Sequence, residues 1–403
     1  MTIANGIAKE LRYKVESAFG TAPGATGAQL LRRTQSTLDL SKDTYQSNEI
    51  NTHRQVVDFR HGVRRVGGNI QGELSPGTYA DFIAAAVRKA WAAVSAMTGL
   101  SLTIAGSGPY TITRASGSFI TDGVKVGDVV RITAGSVNAA NLDNNVLVTA
   151  ETATVLTGIT LSGTALVAEG PIASCTVAVV GKKTYVPTSS HTDKSFSIEH
   201  YYSDLVQSEL FTGCKIDTVA INLPPTGMAT VDFGIVGKNI TTASSAYYTS
   251  PTAATSTGIV AAINGAVLVG GTQQATITGL SLNIANGVSG DPVVGSNSVP
   301  ELFRGKVNVT GQFTAYFDSV TARDAFINET EISLIVALTT GSADDADFIA
   351  FALPRIKLGS GAKNDGEAGL IGTYSFTALY NSAGGAATTS EQSALVIQDS
   401  DAV

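Results

Sequence analysis

The segment 66-VGGNIQGEL-74 decides the fold class, because its apolar and polar residues alternate with a period of two. Ile70 and Leu74 share one parity with Gly72, and the other parity holds Asn69, Gln71 and Glu73. Such alternation predicts a β-strand with one face in a core and the other in water. The segments 230-TVDFGIVG-237 and 308-NVTGQF-313 alternate in the same way. We therefore expect a mainly β protein.

The order of the predicted elements is repeated along the chain. A first series reads strand, long polar loop, strand, helix, strand and strand pair, at 36–40, 41–62, 66–74, 79–97, 196–201 and 211–238. The polar segment 41–62 predicts an extended loop or a hairpin that reaches a partner. A second series of the same order lies at 280–284, 285–304, 305–317, 321–328, 331–338 and 348–380. The closest match sets Ile70-x-Gly72-x-Leu74 against Val309-x-Gly311-x-Phe313. The two series predict a duplicated β-rich unit with a helix in each copy.

The first series is interrupted at 98–192 by a segment that has no counterpart in the second. Short strand-like runs recur there, with Val124, Val126, Val130 and Ile132 on one parity, which is typical of a small sandwich or barrel. We expect four parts, which are a discontinuous first domain (1–97 plus 193–240), an inserted β-domain on the outer surface (98–192), a second domain (241–380) and a C-terminal arm (381–403). The polar arm is expected to be mobile or ordered by a partner.

Charge is sparse in this sequence. Charged residues make up 15% of the chain, the formal net charge is −7, and no run of Lys or Arg exceeds a pair. A chain without clustered cations cannot neutralise a row of phosphates, which excludes tight DNA binding. Cys175 and Cys214 lie in unrelated contexts and are expected to be free, buried thiols. No apolar run has the length of a signal sequence or a membrane span, so we expect neither export nor a membrane.

Patterns of catalytic or metal-binding residues are missing from the sequence. The histidines have no second ligand at metal-binding spacing; they are His53, His61, His191 and His200. The acidic group at 344–347 lacks the closing Glu of a calcium loop and predicts a solvated turn. The segment 179–184 lacks the first glycine of a phosphate loop. We expect no enzyme activity and no cofactor or metal.

Several strings of the sequence resemble the tail tube proteins of siphophages, the bacteriophages with long non-contractile tails. The resemblance covers most of the chain outside 98–192. The strings are LRYKVESAFGTAPG (11–24), LLRRTQSTLDLSKDTYQSNEI (30–50), VVDFRHGVRR (56–65), GELSPGTYADFIAAAVRKAW (72–91), ELFTGCKIDTVAINLPPTGMATVDFGIVGK (209–238) and VNVTGQFTAYF (307–317).

The resemblance implies a mainly β fold, a duplicated tail-tube β-sandwich with flanking helices. It also implies a structural virion protein, assembled in the cytoplasm of the host bacterium, that stacks in rings around a channel for double-stranded DNA. Six tube folds surround the axis of such rings, so a duplicated chain implies three chains per ring, with six as the alternative. The implied partners are further copies of the chain, the tape measure protein, the tail terminator and the distal tail proteins. DNA would pass through without tight binding, and no membrane is involved.

The resemblance also gives roles to two sets of residues. The polar parity of the predicted strands would line the channel at Asn69, Gln71, Glu73, Asp232, Asn308, Thr310, Gln312 and Ser375. The long loops of the two series would join ring to ring through Lys42, Asp43, Tyr45, Asn48, Glu49, Arg54, Asp291 and Glu301.

Two other functions fit parts of the sequence. The strands rich in Gly, Ser and Thr suit a secreted or surface adhesin, which needs an export signal. A tail-associated hydrolase needs a pair of carboxylates or a metal cluster in a cleft. The sequence shows neither feature, so a tube protein is the expected function.

Overall fold

β-Strands dominate the structure, a computed structural model that describes residues 3–318, 320–364 and 369–403. The predicted mainly β class is confirmed. Within these ranges no helix is long and apolar enough to cross a bilayer. Residues 1–2, 319 and 365–368 belong to the first and second predicted domains and lie outside the described residues. Cys175 and Cys214 are free and buried, as predicted.

The elements follow a short 3-10 helix at Gly6–Ala8. The first half holds β1 (Lys9–Val15), β2 (Gln29–Leu30), β3 (Gln35–Ser36), β4 (Asp39–Gln46), β5 (Phe59–Glu73), α1 (Ala80–Val87), β6 (Met97–Ala105), β7 (Tyr110–Arg114), β8 (Val129–Ala134), β9 (Val146–Glu151), β10 (Val155–Thr160), β11 (Glu169–Val179), β12 (Lys182–Tyr185), β13 (Phe196–Tyr202), β14 (Gln207–Leu223), β15 (Thr230–Gly237) and β16 (Asn239–Ala243). The second half holds β17 (Gly265–Val269), β18 (Thr272–Gln273), β19 (Ile277–Ala285), β20 (Asn308–Tyr316), α2 (Thr321–Ile327), β21 (Ile332–Thr339), β22 (Phe348–Leu358), β23 (Ala362–Lys363), β24 (Ile371–Ala378) and β25 (Val396–Asp399).

Six strands from both halves form one continuous antiparallel sheet, which we call the central sheet. Their order is β5, β15, β14, β19, β20 and β24. The halves meet where 218–223 of β14 pairs with 280–285 of β19. Strand pairing in the second half repeats that of the first, since β20–β24 corresponds to β5–β15 and β21–β22 to β13–β14.

A second sheet in each half closes a sandwich over the central sheet. It consists of β1, β13 and the start of β14 in the first half, and of β17, β21 and β22 in the second. β14 passes from one sheet to the other at Gly213, which has a φ of 67°. A Cβ there would lie 2.7 Å from the Cβ of Lys238, so only glycine fits this bend. In β22 the pairing shifts around Pro354, which has no amide to donate.

Side chains between the two layers form one core that runs through both halves. In the first half, α1 inserts Phe82 into this core. The Phe82 ring centroid lies 4.9 Å from that of Tyr13, 5.0 Å from that of Phe196 and 5.3 Å from that of Phe233. Burial of such aromatic side chains is the main source of stability at this point.

The first helix is shorter than predicted. The periodicity predicted a helix over 79–97, but α1 ends at Val87 because Arg88 adopts a left-handed conformation with a φ of 65°. The chain then folds back, and Trp91 Nε1 donates a hydrogen bond to the carbonyl of Ala80 at 2.8 Å. Trp91 therefore reaches the core without being helical. The second helix, predicted over 321–328, is confirmed as α2.

The interruption of the first half forms a small closed barrel, with strands in the order β10, β7, β6, β11, β8 and β9. The barrel has its own apolar core, which includes Val124, Val130 and Ile132 of the predicted parity. Val126 of the same parity instead packs toward the second half. β12 lies outside the barrel and pairs with β25.

The barrel is fixed to the second half by apolar contacts and by hydrogen bonds. Asn145 donates from its backbone amide to the Asp344 carbonyl at 2.9 Å and from Nδ2 to the Ala346 carbonyl at 2.8 Å. Val129 and Leu147 of the barrel pack against the outer face of β21 and β22. The buried side chain of Gln398 accepts from the Val129 amide at 2.7 Å and donates to the carbonyls of Val129 (2.9 Å) and Val180 (2.7 Å). A single side chain thus bonds three backbone groups of the barrel, of which the Val129 carbonyl also accepts from the Val180 amide at 3.1 Å.

The C-terminal residues are part of the fold. The expectation that 381–403 forms a mobile or partner-ordered arm is wrong, because β25 is buried and pairs with both β12 and β22. The short apolar run 394-ALVI-397 within the polar tail was the available signal for this strand.

Gln398→Ala should loosen the barrel from the second half. The change removes the partner of the Val129 amide and of the Val180 carbonyl, whereas the Val129 carbonyl keeps its bond from the Val180 amide. The expected cost is about 2–4 kcal/mol in the free energy of unfolding. Calorimetry should show a lower melting temperature, and protease should cut sooner around the barrel. Gln392→Ala, in the same tail, is the matched control. Equal melting temperatures for both variants would contradict this role of Gln398.

A buried carboxyl in the barrel predicts a pH dependence. Burial raises the pKa of Glu151 to about 8 from its ordinary 4.5, and neither carboxylate oxygen meets a donor in the described ranges. Between these pH values the folded chain holds a proton that the unfolded chain releases, so the free energy of unfolding should fall as pH rises. Glu151→Gln should reduce this fall and stabilise the protein at pH 8 in denaturant titrations. The exposed Glu49→Gln is the control, and identical profiles for both variants would refute the assignment.

Candidate functional site

All eight predicted lining residues lie on one face of the central sheet, which we call the polar face. Cross-strand pairing arranges its side chains in rows. The first row is Gln71, Asp232, Ala220, Asn283, Thr310 and Thr377; the second is Glu73, Thr230, Asn222, Ser281, Gln312 and Ser375; the third is Asn69, Gly234, Thr218, Ala285 and Asn308. The opposite face carries the core side chains. Residues from both halves thus share one surface.

The polar face carries little charge, and its charge is negative. The three rows contain two carboxylates, those of Glu73 and Asp232, and no Lys or Arg. Asp232 accepts hydrogen bonds at 2.8 Å from Asn69 Nδ2 and at 2.8 Å from Gln71 Nε2. These donors are neutral amides, which orient the carboxylate without cancelling its charge. These three rows repel phosphate weakly and hold no cation. Lys357 continues the first row opposite Thr377, and its Nζ lies 3.5 Å from Glu329 Oε2.

Sequence reasoning missed part of the polar face. Residues on β14 and β19 complete its rows, among them Asn222, Ser281 and Asn283. The alternation in 218-TVAINL-223 and 279-GLSLNI-284 was a usable signal. The pairing of these two strands was not readable, because strand partners far apart in sequence leave no local trace.

Six of the predicted inter-ring residues belong to a projecting β-hairpin. Of the two predicted alternatives for 41–62, loop or hairpin, the structure has a hairpin of β4 and β5. Its outer part, residues 44–61, is named the arm, and 47–58 is its tip. Pairing of β5 with β15 ends at Val66, so the arm extends past the edge of the central sheet. The six residues are all exposed and comprise Lys42, Asp43, Tyr45, Asn48, Glu49 and Arg54.

The corresponding loop of the second half folds back on its own chain. Val288, Val299 and Leu302 are buried beside Val63 at the base of the arm. Glu301 Oε1 accepts from Lys215 Nζ at 2.9 Å within the chain, and the Glu301 side chain remains 40% exposed. Its role between rings stays a prediction. Asp291 is exposed. The two halves therefore differ at this end, since one has an arm and the other a packed loop.

Metal-ligating side chains do not converge within the described ranges, where no group of three His, Cys, Asp or Glu could hold an ion. What the structure offers instead is an extended surface. Its continuous sheet, polar on one side and buried on the other, is the architecture of a β-rich protein with one extended polar surface.

The chain belongs to the phage tail tube protein family, whose family model matches residues 6–378. Curated proteins gave no match to the chain. The resemblance to tail tube proteins in the sequence is thereby confirmed. The family consists of structural components of the virion and is not an enzyme family.

Proposed function

We propose that three copies of this chain close a ring with pseudo-sixfold symmetry, and that stacked rings form a tube through which DNA leaves the virion. The observation that carries the proposal is the pairing of β14 with β19, which joins two similar halves edge to edge inside one chain. A joint that connects halves within a chain can connect them between chains as well.

The internal joint is a template for the contact between chains. In the first half, 218–223 of β14 lies between β15 and β19. The matching segment of the second half is 357–364, which pairs with β24 through Lys357, Leu358, Ala362 and Lys363. Its other edge has no partner strand in the described part of the chain. This free edge is equivalent to the edge of β14 that β19 occupies.

The complementary free edge lies at the other end of the central sheet. β3 pairs with β5 through Ser36 and Ile70, as β19 pairs with β20 through Ile284 and Val309. The segment 32–37 therefore corresponds to 280–285, and its outer edge meets no strand among the residues described. Joining 357–364 of one chain to 32–37 of the next repeats the internal joint. Closure of the ring also removes two edges that would otherwise promote aggregation.

The layers of the chain support a radial order for the tube. The polar face lies on one side of the central sheet, the shared core on the other, and the second sheet of each half beyond it. The barrel packs outside β21 and β22. With the polar face directed toward the channel, the barrel lies on the outer wall of the tube.

The charge of the polar face supports a channel through which DNA passes without tight binding. Duplex DNA carries one negative charge per roughly 1.7 Å of its axis, so a cationic lining would hold it at many points. The charged residues in the rows of the polar face, Glu73 and Asp232, are anionic and would repel the phosphates. Within a tail we expect contacts with the tape measure protein, the tail terminator and the distal tail proteins. The family match favours this function over an adhesin or a hydrolase.

Lys363→Pro should prevent ring closure. The amide of Asn364 donates to the Ile371 carbonyl inside the sheet, so the neighbouring amide of Lys363 points to the free edge. Proline removes this donor, whereas the matched control Lys363→Ala keeps it. Native mass spectrometry should show rings of three times the chain mass for the control and monomers for the proline variant. Rings of six chains, or rings from both variants, would contradict the proposal.

Replacing Glu73 and Asp232 together by Lys should preserve the tube and slow DNA exit. Both side chains reach solvent in the structure, so the substitutions disturb packing little. The new cations would bind phosphate, and the delay should shrink as salt is raised. Glu73→Gln with Asp232→Asn is the control and should eject DNA at the normal rate. Ejection assays at low and high salt decide between these outcomes, and a normal rate at low salt would refute a lumenal polar face.

A further inference from the structure

The two halves differ at the helix that covers the end of the central sheet opposite the arm. In the first half, every α1 residue except Asp81 is buried, and Phe82 fills the space between the layers. In the second half, α2 has no buried residue. Ala322 and Ala325 of α2 face the core and are half-buried, so small side chains stand where the first half has a phenylalanine.

This difference leaves an open apolar groove under α2, with a volume of about 460 Å³. Its lining is apolar for the most part and includes Ile277, Phe313, Ala322, Ala325, Ile332 and Tyr374. Open apolar space of this size in a soluble subunit marks a docking position, because its lining forfeits contacts that a partner would restore.

The groove and the arm lie at opposite ends of the central sheet. The groove is next to the start of β19, the end of β20 and the start of β24. The arm continues β5 beyond the other end, where β15 stops pairing at Val66. In a stack of rings in which the strands run along the axis, the arm end of one ring faces the groove end of the next.

The tip of the arm carries apolar side chains that its own chain leaves in water. Ile50 is 102% exposed, Val56 62% and Val57 45%. Residues 59–65 carry the tip past the central sheet by roughly 20 Å, at about 3.3 Å per residue. The tip can therefore reach a neighbouring molecule.

We propose that the arm tip of one chain, residues 47–58, docks in the groove under α2 of a second copy of this chain in the next ring. This inference rests on the proposed stacking of rings. The two halves supply one arm and one groove at corresponding positions. At the arm end the second-half loop is folded back, and at the helix end the space in the first half holds Phe82. Contacts between different surfaces of identical subunits generate an open filament rather than a closed dimer.

Paired cysteines test the contact directly. Purified Ile50→Cys/Ala325→Cys protein, assembled into tubes and oxidised, should give an open-ended ladder of linked chains on a non-reducing gel, since a disulfide needs Cα atoms within about 7 Å. The matched control pairs Val294→Cys with Ala325→Cys, because Val294 is fully exposed in the folded-back loop. Tubes without crosslinks, or a ladder that stops at three chains, would overturn the proposal. Wild-type protein that never forms tubes would instead refute the proposed function.

Filling the groove is the second test. Ala322→Phe copies Phe82 of the first half and should leave rings intact while raising the concentration needed for tube formation at least tenfold. Ala322→Ser keeps the groove open and should assemble normally. Melting curves confirm that both variants fold, and the cysteine pairs decide the matter if Ala322→Phe does not. Normal tubes from Ala322→Phe would overturn the proposal.

Discussion

Pairing between β14 and β19 is the interaction on which the rest of the structure depends. It converts two separate three-strand units into one sheet, and in-register pairing places Ala220 opposite Asn283 and Ile221 opposite Leu282. A shift of one residue would exchange the polar and apolar faces of one half relative to the other. The continuous polar face, the shared core and the equivalence of the two free edges all follow from this register.

The barrel shows how an additional module is attached without becoming independent. β21 is buried on both sides, because Val336 faces the shared core and Ile335 faces the barrel. Removing the barrel would therefore expose an apolar face of the second sheet. The barrel is therefore tied to the second sheet, although it has a core of its own. Gln398 completes the attachment by hydrogen bonding where strand pairing is missing.

Departures from the internal symmetry carry as much information as the symmetry itself. Joining edge to edge requires that the halves be alike along the central sheet. Stacking end to end requires only one projecting element and one receiving element, and the chain has diverged at those ends. The first half has a projecting arm, whereas the second half has a packed loop at the corresponding end. The helix of the first half buries Phe82, whereas α2 presents the half-buried Ala322 to the core. In our proposal the sheets within a ring therefore follow pseudo-sixfold symmetry, whereas the contacts between rings follow threefold symmetry.

The sequence by itself determined the mainly β class, the strand parity at Asn69, Gln71 and Glu73, the second helix and the barrel-forming insert, because each depends on local periodicity. Predictions from the sequence were wrong where local patterns conflict with packing. The first helix ends before Arg88 although its periodicity continues, and β25 lies within a polar tail that was expected to be mobile. Only the tertiary structure decided that β14 joins β19, that the second-half loop packs on Val63 and that a groove opens under α2. Those features depend on partners distant in sequence, whose contacts are selected by the burial of the whole core.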